Sequence, residues 1–260
     1  MNETALITGA SSGIGFELAR CFARDGYRLV LVAHYPDGLE AAAGKLQSEF
    51  PGCITTLIPC DLSKPEGPEQ LYAETNRLGL QIDVLVNDAG FGEYGPFVES
   101  DLQKELAMIQ LNVASLVHLT KLYLRDMVPR KHGKILQLGS VVSFMPNPLQ
   151  SIYAATKAFI LSFSESIQKE LKDTGITVTI LCPPETDTNF FEVANMENTA
   201  IAQGNLATPQ EVAEAGYKGL MSGEARVLPT LKAKAFHAQS ALLPDSMLAT
   251  IMNTMMKEVK

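Results

Sequence analysis

The chain has no tryptophan, four cysteines in 260 residues, and aromatic side chains at only 7%. Cys21, Cys53, Cys60 and Cys182 lie far apart, with no CxxC pair and no histidine at ligand spacing. That pattern excludes a disulfide-stapled scaffold and gives no metal site. Basic residues are also in deficit, 21 Lys and Arg against 29 Asp and Glu, for a formal charge of −8. A partner dominated by phosphate backbone would need clustered cations, so no nucleic-acid partner is expected. No uninterrupted apolar stretch approaches the length of a membrane span, and no membrane association is expected. The apolar run "TALIT" begins at Thr4 and leaves no room before it for a signal peptide. The expected compartment is the cytoplasm.

What is present suits a folded enzyme-sized domain. Apolar residues make up 46% and charged residues 19%, ordinary for a globular protein and too apolar for disorder. Without repeats or linkers, residues 1–260 read as one domain. Short Val/Ile/Leu/Thr runs at 4–8, 28–33, 53–58, 82–86, 134–139, 176–182 and, more weakly, 225–228 have the near-continuous apolar character of strands covered on both faces. Amphipathic stretches near 14–25, 38–50, 67–79, 99–129, 152–172 and 209–222 separate them. This alternation implies right-handed crossovers and an α/β doubly wound parallel sheet of about seven strands with helices on both faces.

Directly after the first strand comes "TGASSGIG", with Gly9, Gly13 and Gly15 opening a helix. A glycine-rich turn there lets backbone approach a pyrophosphate that the helix N-terminus stabilises, with Ser11, Ser12 and Ile14 in the same turn. The plainer reading is a turn that only needs small residues. About 20 positions on, at the end of the second strand, such folds contact the adenosine ribose. An acid there favours a free 2′-OH and a base favours a 2′-phosphate. The chain offers His34, which can donate to phosphate, so the reading leans to NADP(H) with NAD(H) kept open.

In "SIYAATKAF" Tyr153 and Lys157 stand at i and i+4, on one face of a helix. A phenol has a reference pKa near 10 and needs a cation nearby to exchange protons at neutral pH, which Lys157 would supply. Taken singly, Tyr153 reads as a packed ring, Lys157 as a solvated charge, Ser140 as a strand-end hydroxyl and Asn112 as a polar oddity in an apolar helix. Ser140 also lacks the GxSxG context of a serine hydrolase.

With "TGASSGIG", "NDAG" at 87–90, Asn112, Ser140 and the Tyr153/Lys157 pair all in order, the sequence resembles the short-chain dehydrogenase/reductase family from Thr4 to about residue 230. That resemblance implies a Rossmann-type fold and hydride transfer between a nicotinamide cofactor and a small carbonyl or alcohol substrate. It implies Tyr153 as general acid/base, Ser140 steadying the substrate oxygen, Lys157 on the nicotinamide ribose, and Asn112 holding a relay water. It also implies cofactor contacts at Asp61 and Leu62 beside the adenine, at Asn87, Ala89 and Gly90 beside the adenosine ribose, and at Thr186 and Thr188 near the carboxamide.

The chain departs from that pattern at three places. Asp88 stands where the family usually has asparagine and adds a negative charge near an anionic cofactor. His34 stands where many NADP-preferring members carry arginine. Pro184 replaces the glycine of a Pro-Gly pair, fixing φ and removing an N–H. These departures support an alternative, a non-catalytic dinucleotide-binding sensor or scaffold; the intact Ser140, Tyr153 and Lys157 speak for the enzyme.

Residues 189–207 read as a substrate lid, with Phe190, Phe191, Val193 and Met196 giving an apolar side. The tail, about 240–260, carries Met247, Leu248, Ile251, Met252, Met255, Met256 and Val259 on one helical stripe. Such a stripe must be covered, by the same domain or by a sister subunit, and a homodimer or homotetramer is expected.

Overall fold

The computed structural model describes residues 3–258. Among these residues seven strands form one parallel sheet: β1 (Thr4–Thr8), β2 (Arg28–Ala33), β3 (Thr55–Pro59), β4 (Val84–Asn87), β5 (Gly133–Leu138), β6 (Ile176–Leu181) and β7 (Arg226–Val227). Their order is β3-β2-β1-β4-β5-β6-β7, so the winding direction reverses between β1 and β4, where open α/β sheets place a ligand crevice. Leu6 pairs with Val30 on one side and Leu85 on the other.

The apolar strand runs are explained by cover on two faces. Ala5 and Ile7 of β1 face a core closed by α1 (Gly13–Arg24), α2 (Pro36–Glu49) and α8 (Pro209–Ser222), through Phe22, Leu46 and Leu220. Leu6, between them, faces the opposite core, closed by α3 (Gly67–Arg77), α5 (Leu116–Arg130) and α6 (Ser151–Glu170), through Leu71, Tyr123 and Ile167. Each such large apolar side chain contributes roughly 1.5–3 kcal/mol when withdrawn from water.

Three expectations change. The helix expected over 99–129 is broken into α4 (Leu102–Ile109), a π-helical turn over Gln110–Ser115, and α5. Asn112 sits in that turn, and wider winding of this kind is frequent at functional sites. A helix α9 (Leu231–Leu242) was not anticipated, because the apolar residues of "LKAKAFHAQSAL" follow no stripe; the Thr230 side chain caps it by accepting from the Ala233 N–H at 3.1 Å. The third strand starts at Thr55 rather than 53.

The tail forms α10 (Asp245–Met255). Leu248, Met252 and Met256 are buried with Phe191, Met196 and Ile201 of the region after β6. Met247 and Ile251 face solvent, and Val259 lies outside the described residues. Backbone bonds from Ala200 to Lys257 and from Ile201 to Met255 tie the same two segments, and the Tyr94 hydroxyl donates to the Met256 carbonyl at 2.7 Å. Much of the stripe is therefore covered by its own chain. Among the described residues no helix is long and apolar enough to cross a membrane.

Candidate active site

A cavity of about 480 Å³ runs along the carboxyl ends of the strands, within the usual range of about 300–1,000 Å³ for a small-molecule site. Its first end is the turn after β1. Gly9 and Gly13 have φ of +71° and +58°, the left-handed region that glycine adopts without strain. A methyl on Gly15 would lie 2.5 Å from the Gly9 carbonyl oxygen, so the loop closes only without side chains. Ser12 precedes α1 in extended conformation with no side-chain cap, and the first turn carries no acid. The uncapped N–H groups of α1 and the glycine cradle suit an anionic diphosphate. This is the fit required of a dinucleotide.

At the adenosine-side wall, His34 Nε2 lies 3.8 Å from Asp61 Oδ2, and its ring stacks on Tyr35 with centroids 4.2 Å apart. Burial alone would raise the Asp61 carboxyl, but hydrogen bonds from Ser63 and the nearby His34 hold it below its ordinary value. Both residues are partly open to water, so their mutual attraction is modest.

The other end is enclosed. Ser140 follows β5 and starts a 3-10 turn, Val141–Phe144, accepting from the Val142 N–H at 3.3 Å while its own N–H donates to Ser143 Oγ at 3.2 Å. This capping fixes its hydroxyl, and both Ser140 and the Tyr153 phenol line the cavity. The Tyr153 ring lies 5.0 Å from that of Phe190. Lys157, one turn along α6, is only 4% exposed; its ammonium donates to the Leu138 carbonyl at 2.8 Å and sits 5.6 Å from the Tyr153 ring centroid.

The electrostatics correct one expectation. Burial pushes the Tyr153 phenol well above its ordinary value, Ser140 counters this, and Asp88 adds to the rise. Lys157 was expected to acidify the phenol, yet desolvation dominates and the cation's field is partly spent on Asp88. Burial likewise lowers Lys157 to about 8, with Asp88 pulling the other way.

Of the residues singled out in the sequence, Gly9, Ser11, Ser12, Gly13 and Ile14 line the cavity, as do His34, Asp61, Leu62, Ala89 and Gly90. Ser140, Tyr153, Thr186 and Thr188 line it too. Gly15, Asn87, Asn112 and Lys157 stand behind its wall. The Asn87 Nδ2, buried at the end of β4, donates to Thr120 Oγ1 at 3.1 Å and Gln137 Oε1 at 2.9 Å, while its Oδ1 is enclosed without a partner. Asn112 grips the Phe91 backbone, accepting from its N–H at 3.2 Å and donating to its carbonyl at 3.0 Å, and donates also to Thr156 Oγ1. Thr186 donates to the Pro184 carbonyl at 2.8 Å.

The sequence reading missed three polar wall residues. Asn147 and Gln150 are buried, the Asn147 amide donating to Gln150 Oε1 at 3.2 Å. Two amides three apart in the otherwise apolar "SFMPNPLQSIY" were the available signal. Glu185 also lines the cavity, 2.7 Å from the Lys232 ammonium on α9, a long-range pair that no local pattern marks.

The family model for short chain dehydrogenases matches residues 3–199. The chain belongs to the short-chain dehydrogenase family. This dehydrogenase chain is 36% identical over 223 residues to the oxidoreductase YmfI of Bacillus subtilis, covering 83% of this chain and 90% of that protein. It is 30% identical over 209 residues to a very-long-chain 3-oxoacyl-CoA reductase of Mycosarcoma maydis; the match takes in 80% of this chain and 58% of that longer protein. Among solved structures, a short-chain dehydrogenase from Sphingobium yanoikuyae in complex with NADPH superposes with a TM-score of 0.82 at 32% identity, covering 96% of this chain and 95% of that one.

Proposed function

We propose that the protein is a nicotinamide-dependent oxidoreductase that interconverts a carbonyl and an alcohol, with Tyr153 as general acid/base. The observation that carries this reading is that Ser140 and Tyr153, with the Lys157 ammonium 5.6 Å from the Tyr153 ring centroid, line the same cavity as the glycine turn. When bound, the cofactor supplies or accepts the hydride. The Gly9–Gly15 turn would hold its diphosphate, and Thr186, Thr188 and Lys157 its nicotinamide half. Ser140, fixed by its capping bonds, would orient the substrate oxygen. Tyr153 would hand that oxygen a proton in reduction and remove it in oxidation. Lys157, brought to about 8 by burial, would when protonated hold positive charge 5.6 Å from the phenol ring centroid and oppose part of the rise that burial imposes.

His34 favours NADP(H), because a protonated imidazole can donate to a 2′-phosphate; Asp61 at 3.8 Å weakens that preference by repelling the same group. The substrate end carries Val142, Phe190, Phe191 and Met196, which suits a carbonyl compound with an apolar body. The name of the Mycosarcoma relative, a 3-oxoacyl reductase, is of that kind. A panel of ketones, aldehydes and 3-oxoacyl thioesters with NADPH and NADH, followed at the nicotinamide absorbance, tests the reading. Turnover by wild type and its loss in Tyr153→Phe are expected; binding of cofactor with no turnover on any carbonyl would leave the sensor alternative.

A further inference from the structure

The Asp88 carboxylate packs against the glycine turn. Its Oδ2 sits where a methyl on Gly9 or Gly15 would come within 2.7 or 2.5 Å. Its Oδ1 is fully enclosed and has no hydrogen-bond partner. Its backbone N–H is held by Thr8 Oγ1 at 3.0 Å, which fixes the residue's Cα beside the turn. An ionised carboxylate with an enclosed, unpartnered oxygen is costly, and it becomes more so when further negative charge arrives. A dinucleotide brings a diphosphate to the turn that Asp88 backs.

We propose that Asp88 makes dinucleotide binding proton-linked: the carboxylate behind the Gly9–Gly15 turn takes up one proton from solvent as the cofactor's diphosphate docks. The proton comes from water or buffer, and no bond of the cofactor changes. The proposal rests on the dinucleotide reading of the cavity. Its surroundings agree. The groups facing Asp88 are Lys157 and Tyr153 from α6, while the turn from Gly9 to Gly15 carries no charged or titratable side chain and β1 presents only Thr8. Burial pushes the Asp88 carboxyl up to about 7, against the opposing pull of Lys157 and the Gly15 N–H, so near neutral pH a modest added repulsion is enough to shift its protonation. Ionised Asp88 weakens binding, and the weakening grows as pH rises through 7. Asparagine in its place has the same shape and cannot ionise.

Calorimetric titration of the full chain with NADPH, in two buffers of unlike ionisation enthalpy, measures the proton count directly. Wild type is expected to take up more protons at pH 7 than Asp88→Asn, and the wild-type dissociation constant to rise about fivefold relative to the variant's between pH 6 and 8, the effect of a shift of about one pKa unit. Subtracting the variant cancels contributions from His34 and the 2′-phosphate, and the difference reports the coupled Asp88–Lys157 pair. Asp88→Ser, which also removes the charge, should behave as Asp88→Asn. Tight binding with the same proton count and pH profile in all three proteins overturns the proposal and leaves the dinucleotide reading standing. Failure of wild type and variants alike to bind NADPH or NADH overturns both.

Discussion

The two ends of the cavity handle polar groups in opposite ways. At the adenosine end His34 and Asp61 meet at 3.8 Å in partial contact with water, where screening keeps the pair weak and replaceable. At the enclosed end Ser140 is held by capping bonds and Lys157 by a backbone carbonyl, and burial raises the Tyr153 phenol and lowers Lys157 to about 8. The difference teaches that polar groups keep weak, screened pairs where they are wet and have strongly shifted proton affinities where they are enclosed. Asp88 lies at the seam, part of the glycine wall yet facing the buried lysine.

The sharpest way to break this contrast is Tyr153→Phe. Loss of the enclosed proton donor is expected to lower kcat/KM by about 10²–10⁴-fold while the dissociation constant for NADPH, measured by fluorescence titration, changes little. Next in size is Asp88→Asn. Because folding raises this carboxyl from 3.8 to about 7, the stability it allows is full below its unfolded value and is lost as pH rises through 7. The variant is therefore expected to be more stable than wild type at pH 8 by on the order of 2–4 kcal/mol, and nearly equal at pH 4, in urea unfolding at both pH values. Third, Lys157 at about 8 implies that reduction slows as the ammonium deprotonates. The kcat/KM for a carbonyl should fall about tenfold per pH unit above that point, and a flat profile to pH 10 would show that the lysine charge is not used. The smallest effect belongs to the wet end: His34→Arg is expected to raise the preference for NADPH over NADH by about tenfold or less, read as the ratio of the two kcat/KM values.

Much of this architecture was legible before folding. "TALIT" reads as a strand covered on both sides, and Leu6 and Ile7 do face opposite cores. The turn after it reads as a cradle because its glycines fall between strand and helix, and Gly9 and Gly13 take the left-handed conformation that this requires. Only part of the setting of Asn87 was legible: its place at the end of β4 suggested a ribose contact, while its Nδ2 is bound by Gln137 and Thr120, residues 50 and 33 positions away, and its Oδ1 is buried without a partner. The break in the helix around Asn112 was missed for a similar reason, since the apolar period continues through the π-helical turn while the side chain bonds Phe91. The tail stripe demanded cover and could not say from where; the cover comes from Phe191, Met196 and Ile201.

The sequence by itself determined the strand–helix alternation, the glycine turn and the order of Asn112, Ser140, Tyr153 and Lys157, because periodicity, turn conformation and helical spacing are local properties of the chain. Only the tertiary structure decided which of these side chains share the cavity, that burial raises the phenol, and that Asp88 lies enclosed behind the turn with one oxygen unpartnered. Desolvation and pairing are set by atoms brought together from distant segments, and no local pattern encodes that sum.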